Sequence, residues 1–348
     1  MKKLSILWIV LVFFFVFSFE GPVLGATFTV NSTADTIDSS PGDNSCADRF
    51  GACSLRAAIM ETNALGGAHT IVLQDNATYV LSLDNTLGDE DTAYEDDLDI
   101  GDNITIVGNN AVVRRNGACV TDSLTELGEF RLFHVLAGGS LYVSDLTITG
   151  GCDDVDSPSD WGMGGGIYVQ GSLYLQNVIL DNNSVTDFGG AIEVDTGGSV
   201  TIENSTIKNN YADYGAGVDV TEGTLEIINS TFDSNHATGD GGGLLNDGGT
   251  VTIKNTTISN NVASGRGGGI DIDNTSLLSN SLILINSTVV GNIASSKGGG
   301  IDLFDGSLEV VFSTIYRNDP EGVYISTGET MTIKNSIVAY NGTAWTYQ

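Results

Sequence analysis

Apolar and polar positions follow one repeating pattern between Gly164 and Asn341. Two alternating apolar residues precede an asparagine, a second asparagine follows six residues later, and a glycine cluster then leads to an aliphatic residue. One copy is Val251–Ile270 (VTIKNTTISNNVASGRGGGI), and seven copies occur with a usual period of 25 to 27 residues. A fixed period in this range is typical of stacked repeats, since no single repeat can bury its apolar face alone.

Within each repeat the apolar residues have the period of β-strands. They alternate before the asparagine, as in Val251 and Ile253, and again after the glycines, as in Ile192 and Val194. Alternation by two, with β-branched residues and turns rich in Gly, Asn and Asp, predicts short strands with one face inward. Three short strands and three turns fit one coil, so we predict an all-β solenoid over residues 69–348.

The repeated asparagines form two columns when equivalent coils are stacked. The first column comprises Asn177, Asn204, Asn229, Asn255, Asn286 and Asn335, with Phe312 in the remaining copy, and the second comprises Asn183, Asn210, Asn235, Asn261, Asn292, Asn318 and Asn341. Stacked strands lie about 4.8 Å apart, so each amide can bond to its neighbour in the next coil. We predict two inward amide ladders. Four residues of the first column also begin glycosylation sequons, Asn204, Asn229, Asn255 and Asn286, which an inward position would make accidental.

Residues 1–26 have the pattern of a secretory signal. Two lysines precede an apolar run, Leu4–Phe19, and small residues at Gly25 and Ala26 suit a cleavage site. An uncleaved anchor is the alternative, because the apolar run is long for a signal. After cleavage we expect no membrane-spanning segment, and therefore a secreted or cell-surface protein.

Export makes the four cysteines candidates for disulfide bonds. Three connectivities are possible, and we favour Cys46–Cys53, which closes a short loop, together with Cys119–Cys152. Metal binding by cysteine is not favoured because no CxxC motif occurs. The histidines are scattered, so we expect surface or turn positions rather than metal ligands for His69, His134 and His236.

Residues 27–68 form an entry segment without repeats. Thr27–Thr33 alternates like a strand, and Ser54–Leu65 (SLRAAIMETNAL) predicts a helix that has Ser54 as its N-cap. One face of this helix carries Leu55, Ala58, Ile59 and Thr62. The first coil of a solenoid exposes an apolar end, so we predict that the helix caps it.

Three polar excursions interrupt the coils, at residues 84–102, 152–161 and around 274–280. We expect solvated loops, with a cation site as the alternative for the acidic residues 84–102. No lid is apparent beyond the last coil, Met331–Asn341, which predicts self-association through that end or a further C-terminal region.

Two segments resemble known families. Thr29–Asp38 (TVNSTADTID) and Gly51–Ile59 (GACSLRAAI) resemble the N-terminal CSLREA-type domain of exported prokaryotic proteins, with Ala57 in place of the usual Glu. Phe130–Gly150 and the following GGGI and NSTI coils resemble right-handed parallel β-helix repeats, including those of chlamydial polymorphic outer membrane proteins. The resemblance implies a right-handed, single-stranded parallel β-helix with a short capping helix, and it implies export, but it does not specify an activity.

Charge narrows the set of partners. The chain has 44 acidic and 13 basic residues and a net charge of −31. Binding to nucleic acid or anionic lipid requires clustered Lys and Arg, so neither partner is expected. Divalent cations, with Ca²⁺ as the candidate cofactor, or a basic partner fit this charge better.

The candidate site follows from the strand register after each glycine cluster. Residues between the inward aliphatics should point outward, and those positions carry Glu193, Asp195, Asp219, Asp247, Asp271, Asp273 and Asp302. Stacking would place like charges on neighbouring coils, which is unfavourable unless the surface binds cations, raises carboxyl pKa values or is well screened. We predict a cation- or ligand-binding face, with catalysis by Asp219 and Asp271, or no binding role, as alternatives.

An enzyme acting on polysaccharides is the main functional alternative. A glycoside hydrolase needs two carboxylates about 5 to 9.5 Å apart, which adjacent coils can supply. A lyase acting on uronates needs a basic residue beside an acid cluster, for which Arg266 and Lys297 are candidates, although an acidic surface opposes polyuronates. Three aromatic residues near the turns suggest a sugar-stacking strip: Trp161, Phe188 and Tyr214.

These patterns favour an exported, adhesin-like recognition and structural protein that binds a carbohydrate or a surface protein. A polysaccharide hydrolase or lyase is the alternative. We predict three parts: a signal at residues 1–26, a cap at 27–68 and a β-helix at 69–348.

Overall fold

The alternating segments form short parallel strands that stack in register from coil to coil. The structure is a computed structural model that describes residues 25–83, 91–119, 129–153, 162–273 and 280–342. Within these ranges the strands form three parallel sheets of 19, 9 and 6 strands, here called sheets 1, 2 and 3. The predicted all-β solenoid is confirmed.

Sheet 1 contains most of the repeat, and in the regular coils it receives two consecutive strands per coil. Its strands are Thr27–Thr29, Ala68–Val72, Thr78–Leu81, Asn103–Arg115, Ser140–Thr149, Ser172–Gln176, Ile179–Asp181, Ser199–Glu203, Thr206–Lys208, Thr224–Ile228, Thr231–Asp233, Thr250–Lys254, Thr257–Ser259, Ser281–Ile285, Thr288–Val290, Ser307–Val311, Thr314–Tyr316, Thr330–Lys334 and Ile337–Ala339.

Sheets 2 and 3 receive one short strand from each coil that contributes to them. Sheet 2 contains Leu98–Ile100, Phe133–Val135, Ile167–Val169, Ile192–Val194, Val218–Thr221, Leu244–Asp247, Ile270–Asp273, Ile301–Leu303 and Val323–Ile325. Sheet 3 contains Cys152–Asp153, Ser184–Val185, Tyr211–Ala212, His236–Ala237, Val262–Ala263 and Ile293–Ala294. The sheets enclose a continuous column of buried aliphatic side chains, in which Ile192, Val218 and Ile270 are fully buried.

The second asparagine column is the inward ladder that the sequence predicted. In Asn235, for example, the backbone N–H and the side-chain Nδ2 both donate to Asn261 Oδ1, each at 2.9 Å. Nδ2 of Asn235 also donates to the carbonyl of Ile207 at 3.1 Å. Each amide therefore satisfies turn backbone that would otherwise be buried without a partner.

The first asparagine column pairs from coil to coil where Asn286 donates to Asn255 and Asn255 donates to Asn229, but it is exposed, so the prediction that it points inward is wrong. These residues lie at the bend between the two consecutive strands of sheet 1, where the backbone is left-handed, as in Asn255 at φ 53°. Asn tolerates this conformation better than most residues, which explains its repetition there. Phe312 occupies the bend of its coil at φ 53° and is 60% exposed.

A hydroxyl ladder, which begins at Ser205, follows the exposed asparagines from Asn204 onward and explains the sequon pattern. The N–H of Ser205 donates to Ser230 Oγ at 3.1 Å, and the N–H of Ser230 donates to Thr256 Oγ1 at 3.2 Å. The Asn-Ser/Thr-Thr triplets thus combine a left-handed residue, a buried hydroxyl and a strand threonine. Each residue of the triplet therefore has a structural role, but the inward position that we expected for the asparagines is not found.

The capping helix is confirmed as Leu55–Leu65, and Ser54 Oγ accepts a hydrogen bond from the N–H of Ala57 at 3.1 Å. The helix packs on the strands Ala68–Val72 and Leu98–Ile100. Its fully buried Arg56 forms an ion pair with Asp35 at 2.7 Å. The cap therefore contributes a buried, paired charge to the first coils.

Both expected disulfides are present, Cys46–Cys53 and Cys119–Cys152. No helix among the described residues is long and apolar enough to span a membrane. The proposed signal up to residue 24 lies outside the described residues, as do parts of the three excursions, at 84–90, 154–161 and 274–279. The division of the chain at residues 26 and 68 stays a prediction.

Candidate functional site

The middle residues of the sheet 2 strands form one vertical line, here called the outer column. In chain order it comprises Asp99, His134, Tyr168, Glu193, Asp219, Leu245, Asp271, Asp302 and Tyr324. Each of these residues lies between two neighbours whose side chains face the interior of the solenoid. Four of the seven predicted acids thus share one line.

Those four acids are buried, so the prediction of a solvent-facing row is wrong for them. Glu193, Asp219, Asp271 and Asp302 are at most 2% exposed. Their side chains point away from the apolar core, but the preceding glycine turn folds back over them. The remaining acids, Asp195, Asp247 and Asp273, are half-buried.

The glycine clusters make this burial possible. A Cβ atom on Gly267 would lie 2.5 Å from the Cβ of Asp271, and one on Gly215 would lie 2.6 Å from the Cβ of Asp219. Both glycines also have positive φ values, 61° and 57°. Only glycine permits both the left-handed backbone and the close approach to the acid.

The outer column and the acids beside it form what we call the sheet 2 face. Its first half holds a pair of adjacent buried carboxyls, Glu193 and Asp219. Burial, and then the neighbouring charge of Asp219, raise the pKa of Glu193 well above its usual value. Burial, and then the charge of Asp247, raise the pKa of Asp219 to about 8. Neither oxygen of Asp219 makes a hydrogen bond of normal geometry among the described residues. Burial therefore favours the protonated form of both carboxyls.

A small pocket opens beside this pair. Its volume is about 230 Å³, and it is lined by Met163, Phe188, Glu193, Asp195, Thr221 and Asp247. At its edge the rings of Phe188 and Tyr214 stack with centroids 5.4 Å apart and planes 22° apart. Tyr214 is 37% exposed. The predicted aromatic strip therefore exists for these two residues, while Trp161 lies outside the described residues.

In the far half of the face, three acidic side chains surround a single arginine, Arg266. Its Nη2 lies 3.1 Å from Asp240 Oδ2 and 2.7 Å from Asp273 Oδ2, and its Nε lies 3.7 Å from Asp302 Oδ2. Burial raises the pKa of Asp302 to about 6, although the arginine opposes this shift.

Arg266 and Lys297 already have partners in the structure. Beyond its carboxylates, Arg266 also lies over the ring of Phe304 at 4.2 Å, and Lys297 donates to the Tyr324 hydroxyl at 2.8 Å. Both candidate lyase bases are therefore engaged in other contacts.

The seven predicted acids share one face but do not converge on one point. Among the described residues, one group of three acidic or histidine side chains has ligand atoms within 4.8 Å of one another: Asp91, Asp99 and His134. The sequence offered a cation site as the alternative for residues 84–102, which include Asp91 and Asp99, but it did not predict that His134 joins them, because this group lies in the irregular early coils. The prediction of surface histidines is wrong for His134 and His69, which are 4% and 5% exposed, and correct for His236.

The comparisons concern the fold. The sequence model for a right-handed beta helix region matches residues 133–312 and 216–346. Among solved structures, pectate lyase Pel9A is similar at 18% identity and TM-score 0.57, covering 90% of this chain and 76% of that one. The Dettilon tailspike protein gp208 is similar at 13% identity and TM-score 0.35, covering 81% and 64%. No curated protein matches the sequence significantly.

The overlapping family matches together span residues 133–346, which is more than half of the 348 residues. They cover the regular coils whose parallel strands pair in register and whose outer column carries the buried acids. The predicted right-handed winding is confirmed by the same match. The chain belongs to the right-handed β-helix family.

Proposed function

We propose that the first half of the sheet 2 face binds a neutral carbohydrate, and that the chain is an exported recognition protein. The observation that supports this most is the Phe188–Tyr214 stack at the edge of the acid-lined pocket. The apolar face of a sugar ring packs well on aromatic rings, and its hydroxyls donate to carboxylate or carbonyl oxygens.

The size and charge of the pocket favour one ring of an uncharged sugar. Its 230 Å³ is below the range of about 300–1,000 Å³ that is typical of drug-sized ligands. The half-buried carboxylates Asp195 and Asp247 would repel a uronate, as would the net charge of −31. An uncharged polysaccharide or glycan is therefore the partner class.

The setting that we propose is secreted or cell-surface, as in CSLREA-type exported proteins and polymorphic outer membrane proteins, which the N-terminal segment and the coils resemble. The two disulfide bonds support it, since disulfides persist in oxidising compartments.

A binding screen with two tyrosine variants tests the carbohydrate proposal. Neutral oligosaccharides and uronate oligosaccharides are titrated against the protein by calorimetry. We expect a neutral ligand to bind, and Tyr214→Ala to weaken it about tenfold, since one aromatic contact contributes about 0.5–1.5 kcal/mol beyond its buried area. Tyr211→Ala is the matched control, because Tyr211 lies on sheet 3 and is 36% exposed. Equal binding by both variants, or preference for uronates, contradicts the proposal.

Hydrolysis of the bound sugar is the second candidate, and the Glu193–Asp219 pair favours it. The two residues are register partners on adjacent strands, about 4.8 Å apart in the backbone, within reach of the carboxylate separations that glycosidases use. The alternative pair is less suited, because the coil carrying Leu245 separates Asp219 from Asp271. Release of reducing ends that Glu193→Gln abolishes would establish hydrolysis; binding without products would leave the recognition role.

Calcium binding to the half-buried acids of this face is a further proposal. Ca²⁺ takes six to eight oxygen ligands, so it would need Asp195, Asp247, backbone carbonyls and water together. A calcium-dependent rise in melting temperature that Asp195→Asn removes would support it. An unchanged melting temperature in excess calcium contradicts it.

A further inference from the structure

The start of the outer column differs from the rest because it contains a histidine. His134 and Asp99 are register partners on the first two strands of sheet 2. Asp91 approaches the same point from the loop that precedes the first of these strands. These three residues lie apart from the pocket proposed to bind sugar.

His134 is buried without a hydrogen bond. It is 4% exposed, and neither ring nitrogen makes a hydrogen bond with a described residue. Its Nδ1 lies 3.3 Å from Asp99 Oδ1 and 3.7 Å from Asp91 Oδ1. Buried polar groups nearly always have a partner, so an imidazole aimed at two carboxylates indicates a missing ligand.

The separations match those between ligands of one metal ion. Zinc binds imidazole nitrogen and carboxylate oxygen at about 2.0–2.2 Å, so tetrahedral ligand atoms lie about 3.4 Å apart. The distances of 3.3 and 3.7 Å from Nδ1 of His134 to the two carboxylates bracket this value. The distances suit coordination of a shared ion.

Surrounding contacts hold two of the three ligands in place. Asp99 Oδ2 accepts a hydrogen bond from the N–H of Ala93 at 2.8 Å, which leaves Oδ1 directed at His134. The imidazole stacks on Tyr168 with ring centroids 4.9 Å apart. Such outer contacts orient metal ligands and are typical of built sites.

The capping helix anchors the loop that carries the third ligand. Arg56 donates to the carbonyls of Ala93, Asp96 and Asp97 at 3.2, 2.7 and 3.1 Å. An ion bound by Asp91 would fix this loop, which Arg56 already ties to the cap, against the first two strands of sheet 2. The side chain of Asp91 is 72% exposed, so solvent can reach the site and supply a further ligand.

We propose that Asp91, Asp99 and His134 bind one divalent transition-metal ion such as Zn²⁺, which links the loop anchored by Arg56 to the first two strands of sheet 2. Imidazole with carboxylates suits zinc and its first-row neighbours, whereas Ca²⁺ and Mg²⁺ prefer oxygen ligands alone. The proposal is independent of sugar binding.

Metal titration of the chelator-treated full chain, with both disulfides intact, tests this site. Calorimetry with Zn²⁺ and absorption spectroscopy with Co²⁺ report stoichiometry and ligand type. We expect one ion per chain, a higher melting temperature with the ion bound, and no displacement by excess Ca²⁺. Failure of the wild-type chain to bind either metal overturns the proposal.

Variants assign the ion to these residues. His134→Phe keeps a ring against Tyr168 but removes both nitrogens, and we expect affinity to fall at least about 100-fold, the upper range for loss of a supporting contact. His236→Phe is the control, since His236 is exposed. Asp91→Asn changes an exposed side chain, so it tests the site even if His134→Phe does not fold. Wild-type affinity in Asp91→Asn, or equal loss in the control, contradicts the assignment.

Discussion

One residue type serves different purposes in this chain, depending on its position in the coil. Asn255 is exposed at a left-handed bend, where its side chain pairs with asparagines of both neighbouring coils, whereas Asn261, six residues later, is buried and makes the corresponding bonds in the interior. The same holds for acids: Asp271 is fully buried and Asp273 is half-buried, although they lie two residues apart. Local conformation and burial, rather than residue identity, set the energetic role.

We predict that the same substitution destabilises the protein strongly in the buried asparagine column and only slightly in the exposed one. Asn261→Gly leaves the N–H and Nδ2 of Asn235 without their acceptor, so we expect a loss of about 1–3 kcal/mol in the free energy of unfolding. In Asn255→Gly the new glycine adopts positive φ readily, so we expect the free energy of unfolding to change by no more than about 0.5 kcal/mol. Urea unfolding measures both, and equal losses would contradict the assignment of the columns.

The raised pKa of Asp219 predicts that the free energy of unfolding decreases as the pH rises. Its folded pKa is about 8, above the unfolded value near 3.9, so between these values the folded state holds a proton that the unfolded chain releases. Stability contributed by the neutral carboxyl is therefore lost as pH rises from about 4 to 8. Asp219→Asn should flatten this decline and stabilise the protein at pH 8–9 by a few kcal/mol, on the order of 1.4 kcal/mol per pKa unit.

Melting temperatures across pH 4 to 9 measure the effect of Asp219. Asp75→Asn is the control, because Asp75 is exposed. A decline of the same slope in wild type and Asp219→Asn would show that this carboxyl does not retain its proton.

The glycine turn is the element that determines the chemistry of the sheet 2 face. It covers the outer column, removes carboxyls from water and thereby raises their pKa values, as at Asp219 and Asp302. The buried asparagine ladder is a second such element. It lies at the turn that follows sheet 1 in each coil, and its amides pair from coil to coil and satisfy the buried backbone there. The cap is a third element, fastened by Arg56 to the loop 91–97.

Alanine substitutions at two glycines of similar backbone conformation distinguish the cost of a left-handed backbone from the cost of steric overlap. Gly267 and Gly197 have φ values of 61° and 84°, but an added Cβ overlaps Asp271 only at Gly267 and meets nothing within 4 Å at Gly197. We expect Gly197→Ala to cost about 1 kcal/mol and Gly267→Ala about 2 kcal/mol more. Urea unfolding checks the difference, and equal costs would mean that the turn does not press on the acid.

In the whole molecule each coil covers the apolar residues of the coil before it. Val310 is fully buried, while its register partner in the next coil, Ile333, is 46% exposed. Likewise Ile315 is fully buried and its partner Val338 is 43% exposed. The apolar column thus reaches solvent at the last described coil.

This exposed coil is the surface through which we propose that the chain associates. Ile333→Gln and Val338→Gln should lower the fraction of dimer or larger species at least about tenfold, since each buried aliphatic side chain contributes about 1.5–3 kcal/mol. Ile179→Gln is the control, because Ile179 is 39% exposed on sheet 1 away from this end. Sedimentation equilibrium gives the mass, and a monomeric wild type at high concentration contradicts the proposal.

Repetition made the fold predictable from the order of residues alone. The 25- to 27-residue period, the alternating aliphatics, the helix at Leu55–Leu65 and both cysteine pairs were all correct, because each depends on contacts local to a coil or on simple stacking. The orientation of the asparagines and the burial of the acids depended on the tertiary structure. Alternation by two does not continue through a left-handed bend, so it could not tell which asparagine faces inward, and it could not show that glycine turns cover the acids. The meeting of Asp91, Asp99 and His134 likewise depends on how an irregular loop packs against two strands, which no periodic pattern encodes.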